Sequence, residues 1–210
     1  MSNQAKPRKK LLTTANMTRI SMLAALAIIL FMVPFLKIVV IPHMYTLDFS
    51  NVPILLGAFA MGPAAGMIIL VMKEIVHLVF QGLADNQGVG NVADLVMSAA
   101  YILPAAFLYQ KNKTRKTALI GMGVSTVSIV VFGVLANWLI LLPFYTLVRG
   151  FPMPAIIHEI AKVFPFIDSE AKLLLFFVAP FNLVKGLAVS LITFAIYKPL
   201  SPILHAKNMR

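Results

Sequence analysis

The chain has 210 residues, 60% of them hydrophobic and 12% charged, no cysteine and a formal net charge of +11. A soluble domain carries about 25% charged residues, so the apolar surplus points to lipid rather than water as the solvent. The lack of cysteine excludes disulfides, thiolate metal sites and cysteine nucleophiles.

Residues 1–16 form a polar, basic tail carrying Lys6, Arg8, Lys9 and Lys10. The first apolar run, 17–41, is about twice a signal-peptide core in length and has no clear cleavage site. It is expected to be a retained first span, kinked by Pro34 in its outer half. Residues 42–51 read as a loop. The segment 52–80 is apolar but interrupted by Gly57, Gly62-Pro63 and Gly66, which predicts two short helices meeting at the Gly-Pro turn. A re-entrant pair is the alternative. Residues 82–94 form a polar, glycine-rich loop, and a fourth span covers 92–109.

A basic loop with Lys111, Lys113, Arg115 and Lys116 leads to a fifth span over 118–142. The mixed stretch 143–172 contains an amphipathic surface helix over 154–164. A sixth span covers 173–197, and residues 199–210 form a second short basic tail. The fold class is therefore all-α, an integral membrane bundle of six transmembrane helices over 17–198.

Six spans put both termini on one side. Of the 18 Lys and Arg residues, 12 fall on that side, 4 on the other, and Lys73 and Lys185 lie inside spans. By the positive-inside rule the termini are cytoplasmic. The basic residues sit in short flanks rather than one patch, so anionic lipid headgroups, not nucleic acid, are the expected partner of the charge.

The polar residues within spans carry the functional signal. An ammonium at mid-bilayer costs about 2.5–3.5 kcal/mol on insertion scales, so it faces a cavity, a partner or a ligand. Asn182 and Lys185 are three apart and share a helix face. Lys185 either contacts a ligand or forms a structural ion pair, with Glu74 the most plausible partner. In the third span Lys73 and Glu74 diverge by about 100°, so one is expected to face the bundle while the other snorkels or meets a neighbour.

Asn137 is a ligand candidate, and its neighbour Trp138 reads as an interfacial anchor. Asn91, Asp94, Asp48 and Asn51 precede or begin helices, where N-capping is the default role. Asp48 and Asn91 are also kept as ligand candidates. His158, Glu159 and Lys162 share the solvated face of the surface helix. In the first span Thr18, Ser21, Ala24 and Ala25 make a small-residue stripe, suited to internal packing or to docking another subunit. The four scattered histidines include no His-x-x-x-His pair, so no metal site is expected. No phosphate-binding loop, His-Glu-x-x-His, Gly-x-Ser-x-Gly or Asp-x-x-Asp motif occurs, and no enzyme activity is expected.

Four stretches resemble the substrate-binding S components of energy-coupling factor (ECF) vitamin transporters, in particular their riboflavin-specific branch. They are Leu47-Asp48-Phe49-Ser50-Asn51-Val52-Pro53 leading into Gly57-Ala58-Phe59, Gly62-Pro63 with Gly66, Lys73-Glu74 with His77-Leu78, and Pro180-Phe181-Asn182-Leu183-Val184-Lys185-Gly186. The resemblance covers nearly the whole chain, and the last motif is the most specific.

It implies a six-helix subunit of a prokaryotic cell membrane with a vitamin site in its outer half, capped by the loops after spans one, three and five. It implies riboflavin as the transported ligand, with FMN a further candidate, and no cofactor. It also implies an ECF module of two ATPases and a transmembrane T component. Ser21-x-x-x-Ala25 takes the place of the family's docking motif, with Ser where Ala is usual. An Asn side chain can match the flavin imide edge with paired hydrogen bonds, which favours Asn182, Lys185 and Asn137, then Glu74. The competing readings are an S component for another vitamin and a stand-alone proton-coupled carrier using Glu74 and Lys185.

Overall fold

A computed structural model describes residues 13–41, 45–81 and 88–205. Most of the N-terminal tail, the last five residues of the C-terminal tail and the first half of the polar loop over 82–94 lie outside the described residues.

Helix α1 runs Thr14–Met32, and its N-terminus is capped by Thr13, whose hydroxyl accepts from the Asn16 N–H. It stops well short of residue 41. Pro34 confines the preceding Val33 to extended backbone (φ −77°, ψ 115°), so Pro34 ends the helix rather than kinking it.

A 3₁₀ turn over Pro34–Leu36 then leads into strand β1, Ile38–Ile41, antiparallel to β2, Tyr45–Leu47. The register pairs Ile38 with Leu47 and Val39 with Thr46. This hairpin corrects the 17–41 span, while the fold is mostly helical, in line with the all-α expectation. The run Ile38-Val39-Val40-Ile41 is entirely β-branched, which favours a pleated strand.

Helices α2, Asn51–Met61, and α3, Pro63–Gln81, meet at Gly62-Pro63 as expected. Gly62 takes φ 109°, a backbone open to glycine, and Pro63 starts α3 where a missing N–H costs nothing. Helix α4, Val89–Lys111, starts earlier than the sequence suggests, with Gly88 at its N-cap. Asn91 and Asp94 therefore lie inside the helix and do not cap it.

Helix α5, Arg115–Ala136, is capped by Thr114 and continues through two π-helical segments, Asn137–Leu141 and Phe144–Val148. The helical run is thus longer than the expected 118–142. The short surface helix α6, Met153–Ala161, buries Ile156 and Ile160, while His158, Glu159 and Lys162 face out. Helix α7, Glu170–Leu173, passes through a third π segment, Leu174–Val178, into α8, Ala179–His205. α8 therefore extends into what reads as the C-terminal tail.

Among the described residues, five helical stretches are long and apolar enough to cross a membrane, and α2 is a shorter apolar helix. Helix α4 packs along α5, and α5 along α8. Gly121 brings α5 onto the Ala105 backbone, where an added Cβ would lie 3.1 Å from Cα. One apolar core joins α1–α5 and α8. A second, around Leu142, Ile160, Ile167 and Phe177, closes the other end against the hairpin side chains Val40 and Tyr45.

Candidate functional site

The π segments cluster where the candidate polar residues converge. Pro143 lies between the first two, and Pro180 follows the third. A proline ring lacks the N–H and clashes with the carbonyl four residues back, so each loosens the helix upstream of it. Wider turns of this kind are frequent at functional sites. Here they lead into Asn137, Tyr145, Phe177 and Phe181.

A cavity of about 240 Å³ lies between β2, α4, the extended α5 and α8, with Phe31 of α1 and His77 of α3 at its edge. Its size is just below the ~300–1,000 Å³ typical of ligand pockets. One wall is aromatic and amide-bearing. Tyr45 stacks edge-on against Phe181 at 5.5 Å and Phe177 at 4.8 Å, and its hydroxyl donates to Asn137 Oδ1 at 2.6 Å. Burial pushes the Tyr45 phenol well above its ordinary pKa, so it stays a neutral donor.

Each amide is braced by its own helix. Asn137 Nδ2 donates to the Gly133 carbonyl at 2.8 Å, and Asn182 Nδ2 to the Val178 carbonyl at 2.9 Å. Gly133 makes room for Asn182, because a Cβ there would lie 2.6 Å from the amide.

The other wall is ionic. Lys185 Nζ donates to Asp48 Oδ2 at 2.8 Å and lies 3.8 Å from Asp94 Oδ1. Lys73 Nζ lies 2.5 Å from Asp94 Oδ2 and 2.8 Å from Glu74 Oε1. All five charges are buried or nearly so. An unpaired buried charge costs about several kcal/mol, and here each charge has an opposite one beside it. Lys73 also sits over the Phe31 ring, 4.2 Å from its centroid.

Asp48 Oδ1 accepts from the Ser50 N–H at 3.0 Å and from the Ser50 hydroxyl at 2.5 Å, which shapes the turn into α2. Burial raises the Asp48 carboxyl, but the Lys185 ammonium outweighs it and holds the group below the usual carboxylate range.

Of the expected ligand residues, Asp48, Asn137, Asn182 and Lys185 line this one cavity. Glu74 and Asn91 do not line it but meet its lining residue His77: Asn91 Nδ2 donates to Glu74 Oε2 at 2.9 Å and lies 2.8 Å from His77 Nδ1. Lys185 does not pair with Glu74, which Lys73 holds instead. Nor does either member of Lys73-Glu74 snorkel: their side chains contact each other across the ~100° divergence because both are long.

Asp94, read as a cap, bridges Lys73 and Lys185. The signal for it lay in the charges, since two intramembrane lysines require counter-charges. Tyr45, Phe181 and Tyr145 were also missed, as aromatic residues are too common in apolar spans to stand out. Among the described residues no group of three or more His, Asp and Glu side chains is placed to hold a metal.

In α1, Ser21 and Ala25 are exposed along one stripe, but Ala24 is fully buried. Ala24 therefore packs within the bundle and offers no surface for docking.

Comparison with known proteins agrees with this architecture. Residues 15–197 match the family model "ECF transporter, substrate-specific component". The riboflavin transporter RibU of Staphylococcus aureus is 29% identical over 196 residues, covering 92% of this chain and 95% of the relative. The riboflavin transporter FmnP of Bacillus subtilis is 27% identical over 184 residues, covering 87% and 90%. A solved S component of a bacterial ECF transporter superposes with a TM-score of 0.66 at 28% identity, covering 90% of this chain and 96% of that one. The chain therefore belongs to the family of ECF transporter substrate-specific components, multi-pass membrane subunits of transporters rather than enzymes.

Proposed function

We propose that this subunit captures riboflavin in the cavity between β2, α4, α5 and α8. The observation that carries the reading is the convergence of Asn137, Asn182 and Lys185 on one cavity walled by Tyr45 and Phe181. A flat apolar ring system with a donor–acceptor imide edge and a hydroxyl-bearing chain suits such walls. The relatives named as riboflavin transporters support the same ligand. FMN shares the ring and is a second candidate.

The subunit crosses a prokaryotic cell membrane six times, counting α2 as a short span beside the five long ones. Both termini are cytoplasmic in this reading, which the basic flanks support, with the basic tails over 1–16 and 199–210 beside anionic lipid headgroups. The cavity then lies in the outer half. Ser21 and Ala25 offer a close-approach surface for the transmembrane T component of an ECF module, whose two ATPases drive release. Riboflavin is cargo, and the subunit carries no cofactor of its own.

Titration of the purified chain with riboflavin tests this reading through quenching of flavin fluorescence. Saturable one-to-one quenching is expected, weakened in Asn182→Ala and Lys185→Ala. A folded chain that binds no flavin refutes the ligand, and unchanged affinity in both variants refutes the site.

A further inference from the structure

We infer that Asp94 is a positioning residue for ligand capture. It fixes and charge-compensates the Lys185 ammonium across the α4–α8 gap, yet leaves donors of that ammonium open to the cavity. The inference rests on the flavin reading of this cavity.

The geometry separates the two Asp94 oxygens. Oδ2 is clamped by Lys73 Nζ at 2.5 Å and by the Ser98 hydroxyl at 3.3 Å, one turn along the same helix. Lys73 is itself fully buried and lies 2.8 Å from Glu74 Oε1, which anchors the clamp from its far side. Oδ1 then lies 3.8 Å from Lys185 Nζ. That distance is too long for a hydrogen bond but well within Coulombic reach. An ammonium has three donors, and Asp48 Oδ2 takes one at 2.8 Å. Asp94 thus supplies negative charge without consuming a second donor. Lys185 and Asp94 both line the cavity, so a ligand oxygen can complete the coordination between them. A closer carboxylate would satisfy Lys185 outright and compete with the ligand.

The opposing possibility is that Asp94 exists only to neutralise Lys73. A double-mutant cycle separates the two, because residues acting through one another do not contribute additively. The full-length chain is purified as wild type, Asp94→Asn, Lys185→Met and the double variant. Each is titrated with riboflavin and checked for monodispersity.

Asp94→Asn is expected to weaken binding roughly tenfold or more, as outer-shell partners of ligating groups do. In the Lys185→Met background the same change should cost almost nothing. Wild-type affinity in Asp94→Asn, or losses that multiply in the double variant, overturns the inference. If Asp94→Asn does not fold, Asp94→Glu preserves the Lys73 pair and runs through the same cycle, where coupling to Lys185 supports the inference and multiplying losses overturn it. A wild-type chain that binds no flavin overturns the functional reading beneath it, an outcome distinct from flavin binding without coupling.

Discussion

Lys185 on α8 reaches Asp48, 137 residues earlier in the chain, with an Nζ–Oδ2 distance of 2.8 Å. The bond ties the segment between the hairpin and α2 to the last helix, and it does so beside the cavity. Removing one partner of a buried pair costs about 3–5 kcal/mol, whereas replacing both can be nearly neutral. Lys185→Met should therefore lower the thermal midpoint strongly. Lys185→Met with Asp48→Asn should recover much of that loss, yet bind riboflavin no better than Lys185→Met alone. Thermal unfolding and flavin titration of wild type, Lys185→Met and the double variant check both halves.

The same pair sets an acid limit. Lys185 holds the Asp48 carboxyl below the usual carboxylate range despite its burial. A group with a depressed folded pKa contributes stability above its unfolded value, about 3.9 for Asp, and loses it as pH falls through the folded value. The thermal midpoint should be flat from neutral pH down to about 5 and drop below about 4. Asp48→Asn should start lower and show a shallower acid slope. An equal acid slope in the two proteins would assign the effect to other carboxylates.

Gly133 decides whether Asn182 fits. A Cβ at this position would lie 2.6 Å from the Asn182 amide. Overpacking of this kind costs about 1–3 kcal/mol. Gly133→Ala should displace the amide from the cavity wall and weaken riboflavin roughly tenfold, while the bundle stays folded. Gly123 has open space around its Cβ position. Gly123→Ala is the control, and its affinity should match wild type in the same titration.

The small-residue stripe on α1 splits into two behaviours. Ser21 and Ala25 are exposed, whereas Ala24 is fully buried. Ser21→Leu and Ala25→Leu should leave riboflavin binding intact but abolish co-purification with a T component and its ATPases. Ala24→Leu should instead lower thermal stability by about 1–3 kcal/mol through overpacking. Pull-down and unfolding assays on the three variants read the split.

Much of the fold was legible in the sequence because the signals are local. Hydropathy marked the long helices, and Gly62-Pro63 marked the turn between α2 and α3. The spacing of His158, Glu159 and Lys162 marked the face that α6 turns outward. The hairpin was not legible, although Ile38-Val39-Val40-Ile41 is β-branched throughout, because length and hydropathy alone favour a continuous helix. Pro34 reads as a kink when it is a stop. A proline near the end of an apolar run allows either, and here strand pairing with Tyr45–Leu47 selects the stop.

The polar residues show the same division. Asn182 and Lys185 stand out from the sequence because charge and amide groups are costly in lipid wherever they occur. Their partners do not. Glu74 is the nearer guess for Lys185, but Lys73 claims it, and Asp48 and Asp94 take Lys185 instead. The sequence by itself determined that this chain lives in a membrane and that a few expensive polar groups must be satisfied there, since desolvation cost is a property of each residue type. Only the tertiary structure decided which groups satisfy which, because pairing depends on contacts between segments far apart in the chain and on sub-ångström fit such as Asn182 against Gly133.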